Sequence, residues 1–316
     1  MTAAAPNRTA RVRRAVNGIL LLDKPIGLSS NQALQIVRRA FGAAKGGHTG
    51  NLDVAASGLL PLCFGEATKV CGFLLDSDKR YHTTVKLGQT TSTGDIEGEI
   101  TSSCERIPTG REEVERALAL LRGPIQQIPP MYSALKHAGQ PLYKLARQGI
   151  EIERKARAVQ IYQLDLVQHE GDLLALDIRC SKGTYIRSLA VSLGEILGCG
   201  AHVVALRRLE AGPFGIAQAS GLEVFQSARY TLVDYEELLI PMDVALAKLP
   251  PITLNASAAH RFRLGQAVDC PGTGVKACVA SRIYHESGQF LGMGTPDTIG
   301  RLHPNRLVNL DEATEA

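Results

Sequence analysis

A glycine-rich segment from residue 42 to residue 58 constrains the fold of this chain more than any other feature. The segment has too many glycines for a helix and too little alternation of apolar and polar residues for a strand, so it predicts a loop. A strand-like apolar run, Leu59 to Cys63, follows it directly. The loop itself carries one carboxylate, Asp53, and one imidazole, His48. The segment therefore predicts a flexible loop that presents ionisable side chains beside a buried strand.

Helical and strand patterns alternate along the rest of the chain. Ser29 or Ser30 is suited to cap the first helix. Helices are predicted over residues 31–41, 66–75, 111–121 and 184–198. Strands are predicted over residues 18–23, 59–63, 80–87, 159–167 and 173–180. This pattern indicates an α+β fold with a large mixed, mostly antiparallel sheet flanked by helices.

Local composition divides the chain into three parts. Residues 1–17 are basic and alanine-rich without an apolar stretch, which predicts a disordered arm and not a signal peptide. Residues 18–249 form the main predicted domain, with an insertion at about 131–157. Two prolines at 250–251 indicate a linker, and residues 250–316 show short apolar runs between Gly, Asp and Pro. A small C-terminal all-β domain is therefore expected.

The overall composition excludes several classes of protein. A formal net charge of +4 permits a polyanionic partner without requiring one. The seven cysteines form no CxxC pair, which argues against a zinc ribbon or a disulfide framework and favours a reducing compartment. No apolar run is long enough to span a bilayer. We expect a cytoplasmic protein with neither a membrane segment nor a metal site.

Three groups of residues are suited to chemistry, and each has a plainer interpretation. Asp53 and His48 belong either to an active loop or to a solvated turn, and a phosphate-binding loop is disfavoured because no G-K-[ST] follows the glycines. Arg187, in the segment KGTYIR, is suited either to orient a carboxylate through two hydrogen bonds or to a structural ion pair. Tyr81, at the head of a strand, is either a core residue or a platform for an unstacked base.

The predicted insertion carries an excess of positive charge. Between residues 131 and 157 there are six basic residues against two acidic ones, with tyrosines between them. Basic groups bind phosphates and aromatic rings stack on bases, so the insertion predicts an RNA contact. A solvated surface insertion is the alternative. The basic residues are Lys136, Lys144, Arg147, Arg154, Lys155 and Arg157.

Eight segments, in order, resemble the TruB family of tRNA pseudouridine synthases. Together they extend over roughly residues 18–210. They read GILLLDKPIGLSS, GHTGNLDVAASG, GEATK, DSDKRY, IPPMYSALK, YKLARQGI, CSKGTYIR and GCGAHVVALRRL. The segment 250–316 is similar, more loosely, to a PUA-type RNA-binding domain.

The resemblance implies a role for particular residues. Asp53 corresponds to the family's nucleophile, with Tyr81 and Arg187 completing the catalytic group. The implied substrate contacts are His48, Tyr81, Tyr185, Leu206, Lys24 and Lys69. The insertion is implied to clasp the T-arm of tRNA through Lys136, Lys144 and Arg147.

The implied reaction isomerises the uridine at position 55 of the tRNA T-loop to pseudouridine. The base is flipped out, its N1–C1′ bond is broken, the uracil rotates, and C5 is joined to C1′ with the aspartate acting covalently. No redox step or group donor is needed, so no cofactor is expected. A monomer without a protein partner is expected.

One departure from the family pattern lies beside the nucleophile. Val54 stands where the family usually has proline, which leaves the rigidity of the loop in question. The leading alternative function is a catalytically silent tRNA-binding or tRNA-folding protein on the same scaffold. A nucleotide-binding hydrolase is a poorer alternative, because the chain lacks both the P-loop Lys-Ser/Thr and a His/Asp metal cluster.

Overall fold

The computed structural model describes residues 13–227, 229–270 and 276–310. In chain order the strands are β1 (Gly18–Lys24), β2 (Gly46–His48), β3 (Ala56–Phe64), β4 (Lys79–Leu87), β5 (Gln89–Thr91), β6 (Ile100–Ser103), β7 (Gly123–Gln127), β8 (Lys136–His137), β9 (Gln140–Pro141), β10 (Arg157–Glu170), β11 (Leu173–Cys180), β12 (Ala201–Ala211), β13 (Phe214–Gly215), β14 (Ser220–Gly221), β15 (Pro251–Leu254), β16 (Val268–Asp269), β17 (Ser281–His285), β18 (Phe290–Pro296) and β19 (Arg301–Leu307). The α-helices are α1 (Ser30–Ala40), α2 (Cys71–Leu75), α3 (Arg111–Ala119), α4 (Leu142–Ala146), α5 (Ile186–Leu197), α6 (Leu232–Glu237) and α7 (Ala256–Arg263). Short 3-10 turns cover Gly65–Lys69, Ile216–Gln218, Leu222–Gln226 and Met242–Leu246.

A large mixed sheet forms the centre of the main domain. Its strand order is β14-β1-β3-β12-β4-β11-β10-β7, with β2 added on β3 and β13 on β12. Only the β1–β14 and β3–β12 pairs are parallel, so the sheet is mostly antiparallel, as predicted. The sequence patterns did not reveal β12. This strand pairs with the start of β3 on one side and with β4 on the other, so it brings the loop before β3 close to β4.

Local sequence explains the two helices that position the site. In α1, Ser29 and Gln32 form a reciprocal capping box, and the basic residues of the last turn suit the negative end of the helix dipole. Helix α5 ends at Gly198, whose φ of 71° a residue with a Cβ adopts at a cost. Thr184, just before α5, donates its hydroxyl to the carbonyl of Ser181 at 2.9 Å. Both helices bury their apolar sides in one core on the sheet.

A second, five-stranded sheet forms the C-terminal domain, in the order β15-β17-β18-β19-β16. The predicted small β domain is therefore present, and it also carries α7, which the sequence did not indicate. The prediction of a separate linker is wrong, because Pro251 already begins β15 and Leu249 packs into a core shared by the two domains. That core joins Ile19 of β1 to Phe290 of β18.

The N-terminal arm differs from its prediction over the residues that can be described. Residues 1–12 lie outside the described part of the chain. Arg14 donates its backbone N–H to Gly42 at 2.8 Å and pairs with Glu236 at 2.7 Å, and Val16 is buried. Residues 13–17 are thus part of the folded domain, because they supply apolar and hydrogen-bonding partners to its edge. Within the described residues, no helix has the length and apolar character needed to cross a membrane.

The shared core predicts that the two domains unfold together. Phe290→Ala removes a buried ring that packs against Tyr284 at 5.5 Å, so we expect a loss of about 3–5 kcal/mol in the free energy of unfolding. Urea titration followed by far-UV circular dichroism measures it. Ile299→Ala, at a side chain 78% exposed, is the control and should change stability by less than about 0.5 kcal/mol. Two separate unfolding transitions in the unchanged protein would contradict a shared core.

Candidate active site

The loop that carries Asp53 is held from both sides by hydrogen bonds. Ser30, in α1, accepts from the backbone N–H of Leu52 at 2.8 Å and donates to the carbonyl of Leu52 at 3.1 Å. The N–H of Gly27 donates to the carbonyl of Val54 at 2.8 Å. Residues 42–58 are thus less irregular than predicted, because β2 and the start of β3 lie within them. The carboxylate of Asp53 is fixed between two anchored neighbours.

Arg187 pairs with Asp53 through both carboxylate oxygens. Its Nε lies 3.0 Å from Oδ2, and its Nη2 lies 3.4 Å from Oδ1. The Arg187 side chain is only 6% exposed, whereas that of Asp53 is 38% exposed. The guanidinium therefore forms the protein-facing wall, and the carboxylate retains an open side. The two interpretations of Arg187 from the sequence, orientation of a carboxylate and a structural ion pair, are both compatible with this geometry.

Arg187 is held in turn by groups that the sequence analysis did not identify. Its Nη1 lies 3.4 Å from the Asp95 carboxylate and donates to the carbonyl of Thr93 at 3.2 Å. Its Nη2 donates to the carbonyl of Tyr132 at 2.7 Å. Asp95 is buried, and its position in the turn-rich sequence STGDIEGE gave only a weak signal. Two carboxylates thus share one buried cation.

The net environment disfavours the ionised form of Asp53. Burial raises the pKa of its carboxyl group, Arg187 opposes that rise, and Asp95 adds to it. Arg187 therefore lowers the pKa of Asp53 without fully offsetting the effect of burial. A basic, weakly solvated carboxylate is a better nucleophile than a fully hydrated one.

Leu206 lies on the wall of the hollow that contains Asp53, and Tyr81 lies nearby, in a strand paired with that of Leu206. Leu206 lines it together with Asp53, Asp95 and Arg187. Tyr81 is buried in the neighbouring strand β4, and burial raises the pKa of its phenol while Arg208 opposes the rise. The phenol is therefore neutral at neutral pH.

Three further predicted residues surround the nucleophile loop. Lys24 is fully buried, donates to the carbonyls of Pro25 and Leu28 at 2.8 and 2.7 Å, and has a pKa lowered by burial to about 8. The Nδ1 of His48 is buried and has no hydrogen-bond partner among the described residues, and burial lowers the pKa of its ring. Tyr185 precedes α5, and its backbone N–H is fixed by the side chain of Gln127 at 3.0 Å.

Lys69 does not reach this site, contrary to the resemblance-based expectation. Its ammonium group pairs with Glu66 at 2.5 Å and donates to the carbonyl of Leu307 at 2.8 Å, so it joins the C-terminal domain to the main one. It also lines a cleft of about 860 Å³, whose lining includes none of the proposed catalytic residues. Glu66 and Lys69 lie three residues apart in a helical turn, a spacing that favours an ion pair. The sequence analysis did not identify this pair.

The insertion has a small core of its own. Met131, Leu142 and Leu145 pack together beneath the hairpin β8–β9 and α4. Lys136, Lys144 and Arg147 are exposed, and Arg147 lies over the Tyr143 ring at 5.7 Å. The insertion begins beside the carbonyl of Tyr132 that holds Arg187. Its folded base therefore touches the site, while its basic side chains face solvent.

The described residues contain no group of three or more His, Cys, Asp or Glu side chains placed to hold a metal ion. All seven cysteines are free thiols.

Family models match nearly the whole chain. The model described as TruB family pseudouridylate synthase (N terminal domain) matches residues 38–186. The tRNA pseudouridylate synthase B C-terminal domain matches residues 187–247, and the pseudouridine synthase II TruB C-terminal model matches residues 250–308.

Curated relatives are similar over nearly their full lengths. A tRNA pseudouridine synthase B of Pseudomonas aeruginosa is 49% identical over 300 residues, covering 94% of this chain and 98% of that protein. A tRNA pseudouridine synthase B of Dechloromonas aromatica is 50% identical over 304 residues, covering 95% of this chain and 98% of that protein.

Two solved structures share the fold at low sequence identity. A Cbf5–Nop10–Gar1 complex contains a chain with a TM-score of 0.69 at 23% identity, covering 94% of this chain and 85% of that one. A chain of an H/ACA RNP bound to a substrate RNA containing 2′-deoxyuridine has a TM-score of 0.71 at 20% sequence identity, covering 96% of this chain and 93% of that one. The predicted pseudouridine synthase fold with a PUA-like domain is confirmed. With family models over nearly its whole length and relatives at about half identity, the chain belongs to the TruB family of pseudouridine synthases.

Proposed function

We propose that this protein isomerises the uridine at position 55 in the T-loop of tRNA to pseudouridine. The observation that carries the proposal is the Asp53–Arg187 pair, in which a buried arginine holds a carboxylate that keeps an open face toward the hollow. Relatives named tRNA pseudouridine synthase B support both the reaction and the substrate class.

The proposed reaction begins at the sugar carbon or at the base. Asp53 attacks C1′ or C6 of the flipped nucleotide, and the N1–C1′ bond breaks. The uracil rotates and C5 joins C1′, after which C5 loses its proton and N1 gains one. The product is an isomer of the substrate. Arg187 compensates the charge that returns to Asp53 when the ester bond to it is broken.

The remaining residues hold the flipped nucleotide. Tyr81 supplies a stacking face and also a base toward the substrate, once its phenol is ionised. His48 is partly exposed as a whole residue and would contact RNA through its accessible atoms. Leu206 closes the hollow beside the base, and Tyr185 supports the wall formed by α5. Lys24 would support the nucleophile loop from beneath and not contact the nucleotide directly, since its ammonium group already donates to backbone carbonyls.

The proposed partner surface is the basic insertion, which would hold the T-arm near the site. Its exposed side chains Lys136, Lys144 and Arg147 are suited to phosphate contacts. The main domain over 18–249 would carry the chemistry, with the C-terminal domain adding RNA contact. The protein would act on tRNA as a monomer.

Asp53→Asn tests the nucleophile. We expect turnover to fall by about three orders of magnitude or more, because no covalent partner remains. Binding should stay within about threefold, since little contact surface is lost. Release of tritium from C5-labelled uridine in tRNA measures turnover. Asp172→Asn, at a carboxylate that is also 38% exposed but lies outside the site, is the matched control and should retain activity.

The same variant has a predicted effect on stability. Burial raises the folded-state pKa of Asp53, so ionisation of this group in the fold opposes stability at any pH above its unfolded value. Asp53→Asn should therefore melt at the same temperature as the unchanged protein or higher.

Asp53→Asn protein that forms pseudouridine would refute the assignment of Asp53 as the nucleophile. Unchanged protein that binds tRNA without releasing tritium would indicate a silent RNA-binding protein.

Replacing Lys136, Lys144 and Arg147 together with glutamate tests the insertion. We expect tRNA affinity to fall and its salt dependence to flatten by about two to three in log–log slope, because fewer counterions are released. Filter binding at several salt concentrations measures both quantities. Substitution of Arg39, Arg106 and Arg116 to glutamate, at exposed positions outside the insertion and the C-terminal domain, provides a charge-matched comparison. Equal slopes in the two triple variants would show that the insertion makes no specific phosphate contacts.

A further inference from the structure

Arg208 is a buried cation with no carboxylate partner in the part of the chain that the structure describes. Only 1% of its surface is exposed. Its Nε donates to the carbonyl of Leu59 at 2.7 Å, and its Nη1 lies 3.5 Å from the carbonyl of Asn51. Its Nη2 is buried and meets no hydrogen-bond acceptor within residues 13–227, 229–270 and 276–310. A buried charge that is not compensated costs stability. Its presence beside the nucleophile loop therefore indicates a role in function.

The sheet register places Arg208 against Tyr81. In the β12–β4 pair these two residues lie directly opposite each other, so their side chains share one face. Both side chains are buried. On the other side, Arg208 pairs with Gly58 in β3, where a Cβ would lie 2.3 Å from the Arg208 carbonyl oxygen. Glycine at 58 thus permits the close approach that brings the guanidinium between the nucleophile loop and Tyr81.

The charge on Arg208 acts on the titratable groups around it. Burial and then Arg208 lower the pKa of His48. For Lys24 and Lys79, burial is the largest cause of a pKa lowered to about 8, and Arg208 adds to it. For Tyr81 the sign is opposite: burial raises the pKa of the phenol and Arg208 lowers it. Of these four groups, only Tyr81 gains stability in its ionised form from the arginine.

We propose that Arg208 is a positioning residue of the isomerisation, which orients the Tyr81 hydroxyl and stabilises the phenolate that accepts a proton from the substrate. The inference rests on the function proposed above. After C5 has joined C1′, the C5–H proton passes to the phenolate oxygen. The C–H electrons form the C5–C6 double bond, the electron pair of the N1–C6 double bond moves to N1, and N1 takes a proton from water. The phenol then returns its proton to solvent.

The test uses single-turnover rates with excess full-length enzyme and C5-tritiated tRNA, measured from pH 6 to 9. Arg208→Gln should slow the reaction by about ten- to a hundredfold, the effect of moving a base's pKa upward by one to two units, and should displace the pH profile upward. Affinity for tRNA should be unchanged. Arg208→Lys keeps the positive charge but lacks the planar guanidinium group. Its single-turnover rate should lie between those of Arg208→Gln and the unchanged protein, and its pH profile should also be displaced.

A double-mutant cycle separates action through the hydroxyl from a structural effect. In a Tyr81→Phe background, Arg208→Gln should cause no further loss beyond about twofold, because the group through which it acts is gone. Arg207→Gln is the control, since this neighbour points to the other face, pairs with Asp23 at 2.6 Å and is 41% exposed. It should leave the rate and pH profile unchanged.

The outcomes distinguish this inference from the proposed function. Equal slowing by Arg208→Gln with and without the Tyr81 hydroxyl, or loss of affinity alone, would overturn the role of Arg208. An Arg208→Lys profile identical to that of the unchanged protein would do the same if Arg208→Gln fails to fold. Unchanged protein that forms no pseudouridine would instead overturn the proposed function itself.

Discussion

The ion pair between Asp53 and Arg187 is the interaction on which the rest of the site depends. Arg187 begins one helix, yet its guanidinium reaches the nucleophile loop through Asp53, a second loop through Asp95 and Thr93, and the insertion through the carbonyl of Tyr132. Four segments distant in sequence thus meet on one buried cation. A change that moves any of them alters the orientation of the carboxylate.

Buried positive charge recurs around the nucleophile at a cost in stability. Arg208 and Lys24 are both buried, each with hydrogen bonds to backbone carbonyls, and Arg208 adds to the effect of burial in lowering the pKa values of Lys24 and His48. Groups held in this way are commonly found where structure serves chemistry. Such an arrangement suits a polyanionic substrate, because the negative charge of the substrate compensates positive charge that the protein itself leaves unpaired.

Sequence reasoning predicted the elements whose signals are local. The apolar run of β1, the Ser29 cap of α1 and the alternation of β4 each follow from a few neighbouring residues. The pairing of Asp53 with Arg187 was expected only through the family resemblance, because no local pattern joins residues 134 positions apart.

What the sequence missed depends on long-range register. Strand β12 carries charged residues and two irregularities in its pairing with β4, which conceal its alternation, and so the burial of Arg208 was not foreseen. Helix α7 was missed although Asn255 caps it, because its eight residues give only a short pattern. The tether made by Lys69 was missed because its partner carbonyl lies 238 positions away in the chain. Val54, in place of proline, left the loop's rigidity open. Hydrogen bonds to its neighbours supply that rigidity.

The central claim is that this site isomerises one uridine of the tRNA T-loop. The most direct measurement reacts the full-length protein with an unmodified tRNA transcript and labels pseudouridine by cyanoethylation, because the product has the mass of uridine. Nuclease digestion and mass spectrometry then locate the label. The account predicts a single labelled nucleotide at position 55. A label at another position, or none after prolonged reaction with folded protein, would contradict it.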